Sequence, residues 1–375
     1  MIRRTASLSA LLLLLSPVLL DARPLGSTDL YKMRSAGSVS LSPDGTRIAY
    51  TVENNGPTGR PYRQLYLATL PLGEATRVGG EADRAGGATW SPDGKLIAFT
   101  GRMDGKSGLH VANADGTGIR FLTEVTDTNS PLTFEGSTLD WSPDGKQIAF
   151  VSTVPGPETK DATGDPIVIT RYLYKPDAGE GNTRFNDNRR REVFIIDAAG
   201  GTPRALTTGP REYHSIDWSP DGREILAVSN LDHDPDYFYN QDLVAISPAT
   251  GAIRRITATE SAEYQPEYSP DGKQIVFLGT KRGLTDLETT MEDTHVWVMN
   301  ADGTGRREIG SVIDNRQSNH SFSPDGASVY FTALDRGHVR LHRVALGAGK
   351  AETVISDPGS VGGYAVARNG SIVYA

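Results

Sequence analysis

The stretch Leu139–Phe150 reads LDWSPDGKQIAF, and its centre, SPDG, occurs six times, starting at Ser42, Ser91, Ser142, Ser219, Ser269 and Ser323. In such a tetrad proline presets φ for the second position of a tight turn, and aspartate bonds its own backbone at the third. Glycine then takes a left-handed conformation at little steric cost. Each copy is therefore expected to reverse the chain between two antiparallel strands, with a bulge at the glycine. The turn residues are Asp44 and Gly45, Asp93 and Gly94, Asp144 and Gly145, Asp221 and Gly222, Asp271 and Gly272, and Asp325 and Gly326. Their expected role is structural.

The flanks repeat as well. One large aromatic precedes five of the turns (Trp90, Trp141, Trp218, Tyr268, Phe322), and short apolar runs such as KLIAFTG, KQIAFVS and KQIVFLG follow them. A strand apolar on both faces belongs in a sheet covered on both sides. A second hairpin follows in each unit: GLHVANADGTGIRFLT and THVWVMNADGTGRREIG share the turn NADGTG. Each unit thus offers four antiparallel strands. The turns are spaced 49, 51, 77, 50 and 54 residues apart, and a degenerate seventh copy, ARNGSIVYA, starts at Ala367. A four-stranded unit of about 50 residues matches one blade of a β-propeller. The expected fold is all-β, a seven-bladed propeller of four-stranded antiparallel blades over residues 23–375, its last blade incomplete. A sandwich or β-helix is the weaker alternative.

The aromatics before each turn suit blade-to-blade packing better than a stacking site for sugars or peptides, because they recur in every unit. The 77-residue gap holds an insert in the third blade, residues 153–190, polar and loop-like around the strand-like core PIVITRYLYK. Long loops in compact domains are usually functional or disordered. The last unit supplies two strands of four. The segment STDLYKM (Ser27–Met33) reads as a capped helical turn rather than as a strand that would complete it, so the chain is expected to be a piece of a longer protein.

Repetition overrides the two or three domains that 375 residues would suggest. Residues 1–22 combine Arg3 and Arg4, an apolar run and Ala22, the pattern of a secretory signal peptide, so an exported, periplasmic or extracellular protein is expected, with no membrane contact after cleavage. The chain has no cysteine, which excludes disulfides and a lipidated cysteine. The net charge of −8 becomes −9 without residues 1–22, and the only basic run, Arg189–Arg191, is too short for a nucleic-acid footprint.

The phrase DLYKMRSAGSVSLSPDGTRIAYTV (Asp29–Val52), the insert with its flanks, and FSPDGASVYFTALDRGHVRLHRV late in the chain resemble the prolyl oligopeptidase family of serine peptidases, in its acylaminoacyl-peptidase-like branch. The resemblance covers nearly all of residues 29–375, in order. It implies a propeller that gates short peptides for an α/β-hydrolase domain carrying Ser, Asp and His. That domain would need a G-x-S-x-G nucleophile elbow. The motif is absent here, GKSG at Gly105 and GSVGG at Gly359 being wrongly spaced, and no alternating strand–helix region follows. The chain itself is therefore read as non-catalytic, with no cofactor and with peptides, a protein partner or the hydrolase domain as partners. The chain also lacks the Glu-Glu pair of the dipeptidyl-peptidase branch. A second resemblance, to TolB-type propellers, rests on NADGTG followed by SPDGKQIAF and implies a periplasmic protein-binding role.

Arg171, Tyr172, Tyr174 and Arg184 place charge and aromatic surface on the insert and are the candidate contacts for substrate or partner. The alternate aspartates Asp232, Asp234 and Asp236 lack the glycine and glutamate of a calcium loop and read as a solvated loop. The seven histidines, His214 and His320 among them, read as strand-end residues rather than a zinc site.

Overall fold

The computed structural model describes residues 24–56, 61–71, 73–130, 136–163, 165–174, 185–237, 240–280, 293–311, 313–347, 349–357 and 359–375. The expected signal peptide lies outside the described residues. The fold is an all-β propeller. Six four-stranded antiparallel sheets follow one another along the chain, each ordered first to fourth strand as in the sequence, and a two-stranded sheet comes last. In the first blade the strands are Arg34–Leu41, Arg47–Asn54, Tyr62–Thr69 and Thr76–Arg77. The count of seven blades is corrected to six: ARNGSIVYA forms only the hairpin Tyr364–Val366 with Ile372–Tyr374, because the residues of that unit supply two strands.

The turns are alike in detail. The N–H of Gly45 donates to the carbonyl of Ser42 at 2.8 Å, and the other five copies repeat this bond. The Ser42 hydroxyl donates to Asp44 Oδ1 at 2.6 Å, and chiefly this bond holds the Asp44 carboxyl down at about 2. Gly145 sits at φ +68°, and a Cβ there would lie an ordinary 3.6 Å from Pro92 of the preceding turn. Room is therefore available, and the cost of a side chain lies in its backbone conformation. Gly145→Val is expected to destabilise the fold by about 1–3 kcal/mol, read as a lower thermal midpoint; an unchanged melt would contradict this turn geometry.

Each apolar cluster spans two consecutive blades. Ala149, Val193 and Ile195 of the third pack on Ile216, Trp218 and Ile225 of the fourth. Val276 and Val298 of the fifth pack on Phe322, Phe331 and Val344 of the sixth. Both faces of a blade are thus covered, which is why its strands are apolar on both sides. The aromatics before the turns sit at these seams, and Trp90 and Trp141 donate their indole N–H to the carbonyls of Ser40 and Thr89 in the preceding blade, both at 3.2 Å. The last hairpin packs on the sixth blade through Tyr364, Val366 and Ile372. It also reaches the first, where a Cβ on Gly45 would lie 3.5 Å from Ala367. The segment Ser27–Lys32 is a short 3-10 helix closed by a 3.0 Å bond from the Gly26 N–H to Asp29. The following strand, from Arg34, pairs within the first blade and not with the last hairpin.

Candidate functional site: the loop face and the axial cavity

In an antiparallel blade the first-to-second and third-to-fourth turns share one face of the ring. The second-to-third connections share the other with the links between blades. Here the first face carries the SPDG turns and the short third-to-fourth connections, two of them built on NADG. The longer second-to-third connections leave the blades on the opposite face, after Asn54, Pro155, Ser229 and Gly279. Loops displayed by a rigid scaffold are where binding residues concentrate.

The third blade's second strand runs to Pro155 and its third begins at Arg189, so the excursion proper is 156–188. It is tied down at several points. Arg190, whose side chain is 3% exposed, ion-pairs with Glu158 at 2.7 Å. It also donates to the carbonyls of Pro210 and Asn188 at 2.7 and 2.9 Å. Arg171 grips Asp236, in the corresponding connection of the fourth blade, through two bonds, one from Nε to Oδ2 at 2.8 Å. The two ends of the insert meet where the Gly156 N–H donates to the Asn188 carbonyl at 3.2 Å, and within it the Asn186 N–H donates to the Tyr174 carbonyl at 2.8 Å.

Of the candidate contacts, Arg171 is mostly committed to this pair, its side chain 11% exposed. Tyr172 is 64% exposed and meets Tyr237 edge to face at 5.7 Å. Tyr174 stacks on Phe185 at 6.4 Å, and both are exposed. Arg184 lies outside the described residues. A small pocket beneath the insert is lined by Arg171, Arg190, Arg211, Glu212, His214 and Gln241. Burial pushes His214 down to about 3, so its ring is neutral at physiological pH. His320 lines a different cavity, and among the described residues no group of three His, Asp or Glu is arranged to hold a metal ion.

That second cavity, about 200 Å³, lies against the first strands of the third to sixth blades and is lined by Ser137, Ser215, Asp217, Gln265, Glu267 and His320. Bulges in these strands shape it: the register slips between His214 and Asp217, between Tyr264 and Glu267, and between Ser318 and Ser321. At each slip a residue three before the seam aromatic has positive φ, Ser215 at 55°, Gln265 at 51° and Asn319 at 48°. Bulges re-aim side chains, and strain at non-glycine residues tends to gather at working sites.

Asp140, Asp217 and Glu267, which motif reading did not single out, each stand directly before a seam aromatic. Asp140 accepts the backbone N–H of Trp218 at 2.7 Å, Asp217 that of Tyr268 at 2.7 Å, and Glu267 that of Phe322 at 3.0 Å. Burial pushes Asp140 up to about 6 and Glu267 up to about 7. Asp217 is raised by burial and then by the charges of Asp140 and Glu267. The available signal was register: LDW, IDW and PEY put an acid at the same place in three consecutive units.

No family model matches the chain. It is 26% identical over 344 residues to dipeptidyl-peptidase 5 of Porphyromonas gingivalis, covering 84% of this chain and 47% of that protein. It is 25% identical over 223 residues to the uncharacterized peptidase YuxL of Bacillus subtilis, covering 56% and 31%. A 147-residue stretch is 33% identical to the Tol-Pal system protein TolB of Anaeromyxobacter dehalogenans, covering 38% and 30%. The chain thus spans less than half the length of each of these relatives. Among solved structures, acylaminoacyl peptidase of Pyrococcus horikoshii superposes with a TM-score of 0.63 at 16% identity, over 89% of this chain and 48% of that one. The chain is a β-propeller similar to those of acylaminoacyl peptidases and the prolyl oligopeptidase family, and in part to TolB.

Proposed function

We propose that this chain is the non-catalytic propeller of an exported prolyl-oligopeptidase-type serine peptidase, admitting and positioning short peptides for an α/β-hydrolase domain outside it. The observation that carries the reading is the exposed aromatic group of Tyr172, Tyr174, Phe185 and Tyr237, held by the Arg171–Asp236 pair on the face where the long connections gather. Rigid tyrosines offer large contact area with a polar tip, which suits peptide chains of varied sequence. The peptidase relatives support the same direction. A second reading, a TolB-like protein-binding propeller with no enzyme attached, is favoured by the stretch shared with TolB.

Titration of blocked short peptides into the purified chain, followed by calorimetry, tests this. Saturable binding is expected, with no turnover, since the chain encodes no activated nucleophile of the family's kind. Replacing both Tyr172 and Tyr237 with alanine is expected to weaken binding about fivefold or more. Turnover abolished by a serine-directed inhibitor would overturn the non-catalytic assignment. Peptide affinity untouched by the double replacement would remove this face from the account. Capture of an intact protein without any peptide binding would favour the TolB-like reading.

A further inference from the structure

Three successive blade seams are joined in the same way, and the joint is ionisable. The third blade's Asp140 holds the backbone of the fourth, the fourth's Asp217 holds the fifth, and the fifth's Glu267 holds the sixth. The equivalent positions of the first, second and sixth blades carry Ser40, Thr89 and Ser321, which are neutral. None of the three acids makes an ion pair with a described residue. We propose that Asp140, Asp217 and Glu267 form a proton-operated clasp on one side of the ring, closed while protons are held among them and loosened when all three are ionised.

The groups facing the clasp leave the acids to titrate largely among themselves. Asp217 feels both of the other acids, and Glu267 feels Asp140. His320, on the first strand of the sixth blade, lines the same cavity and is pushed down to about 4 by burial, so it is neutral from pH 5 upward. The phenols of Tyr268 and of Tyr364 in the last hairpin are raised by burial and stay neutral as well. Behind Tyr268, Glu224 accepts its hydroxyl proton at 3.1 Å and is itself paired with Arg254. Ser137, Ser215 and Gln265 complete the wall without charge. A backbone N–H bonds an ionised carboxylate more strongly than a neutral one. Three ionised acids buried near one another nevertheless repel one another and lose hydration. Of the two terms the second is the larger here, since all three acids are raised above their ordinary values.

The direction of the pH effect follows. In the unfolded chain these acids ionise near pH 4, whereas folded Asp140 is pushed up to about 6, Glu267 up to about 7, and Asp217 is raised with them. Their contribution to stability is full below about pH 4, falls as pH rises through the folded values, and is level above them.

Asp217→Asn removes the charge and keeps an acceptor for the Tyr268 N–H. The full-length variant is expected to melt a few degrees above the parent at pH 8, with the difference shrinking as pH falls and gone by about pH 4. Hydrogen exchange, corrected for its intrinsic rate, should show the parent's Trp218, Tyr268 and Phe322 amides losing protection severalfold between pH 5 and pH 8, with a smaller loss in the variant. A variant equally destabilised at both pH values, or equally protected amides, would overturn the clasp. Should the variant fail to fold, carboxyl carbon NMR of the parent decides: inflections above about pH 5.5 for these three residues support the clasp, and inflections near pH 4 overturn it.

Discussion

Arg190→Ala is expected to lower the stability of the chain by about 3–5 kcal/mol, the range for breaking a buried ion pair by removing one partner. Three attachments end at this guanidinium: Glu158 at the start of the insert, the Asn188 carbonyl at its end, and the Pro210 carbonyl on the way to the fourth blade. Alanine would leave both carbonyls without this donor and Glu158 without its counter-charge, so the desolvation of these groups is no longer offset. The insert should loosen along with the global fold. Urea unfolding measures the first effect, and limited proteolysis at 156–174 the second. An exposed pair supplies the control. Arg63 and Glu53 meet at 3.2 Å with side chains 68% and 39% exposed, and Arg63→Ala is expected to cost under about 1 kcal/mol. Equal effects at the two sites would mean that Arg190 does not anchor the insert.

The blade architecture was legible because its determinants are local. SPDG specifies a turn through the conformational limits of Pro and Gly, and the apolar runs after it specify strands buried on both faces, all within a dozen residues. The seventh copy was legible for the same reason, and ARNG still closes its turn with a 2.8 Å bond from the Gly370 N–H to the Ala367 carbonyl. The joints between blades were not legible in this way. Asp140 meets its donor 78 residues along the chain, Asp217 meets its own 51 along, and Glu267 its own 55 along. A lone acid before a tryptophan looks like any polar residue on a strand until the ring places the next blade against it. The bulges that aim the cavity residues were hidden too, because Ser215, Gln265 and Asn319 are not residues that announce positive φ as glycine does. In the insert the aromatic content was visible, but Arg171 read as a free contact. Its partner, Asp236, lay in the loop read as solvated, 65 residues away.

Phe277→Ala should be comparably costly, and it tests the packing rather than the polar joints. Phe99, Phe150, Phe277 and Phe331 occupy the same register in the second strand of four blades, and all are at most 1% exposed. Phe277 fills the seam between the fourth and fifth blades, against Leu226, Val228, Leu243, Tyr268 and Met299. Removing a fully buried phenyl ring costs its transfer free energy plus a cavity term, about 3–5 kcal/mol in total. The fourth blade shows what compensation requires. Its residue in this register is Ala227, and the cluster around it includes Tyr213, which packs in the same seam between the third and fourth blades. In the fifth blade the residue five before the seam aromatic, the place Tyr213 holds in the fourth, is Glu263, bound to Thr257, Thr259 and Arg306. It is thus committed elsewhere and has no ring to offer. The cavity should therefore persist rather than close. Phe277→Leu, which retains most of the volume, is expected to lose less than about 1.5 kcal/mol. Urea midpoints of the two variants, with an unchanged dependence on urea concentration, measure both values. A loss under about 1 kcal/mol for the alanine variant would mean that the two blades can slide together, and that shape complementarity at this seam does not hold the ring in register.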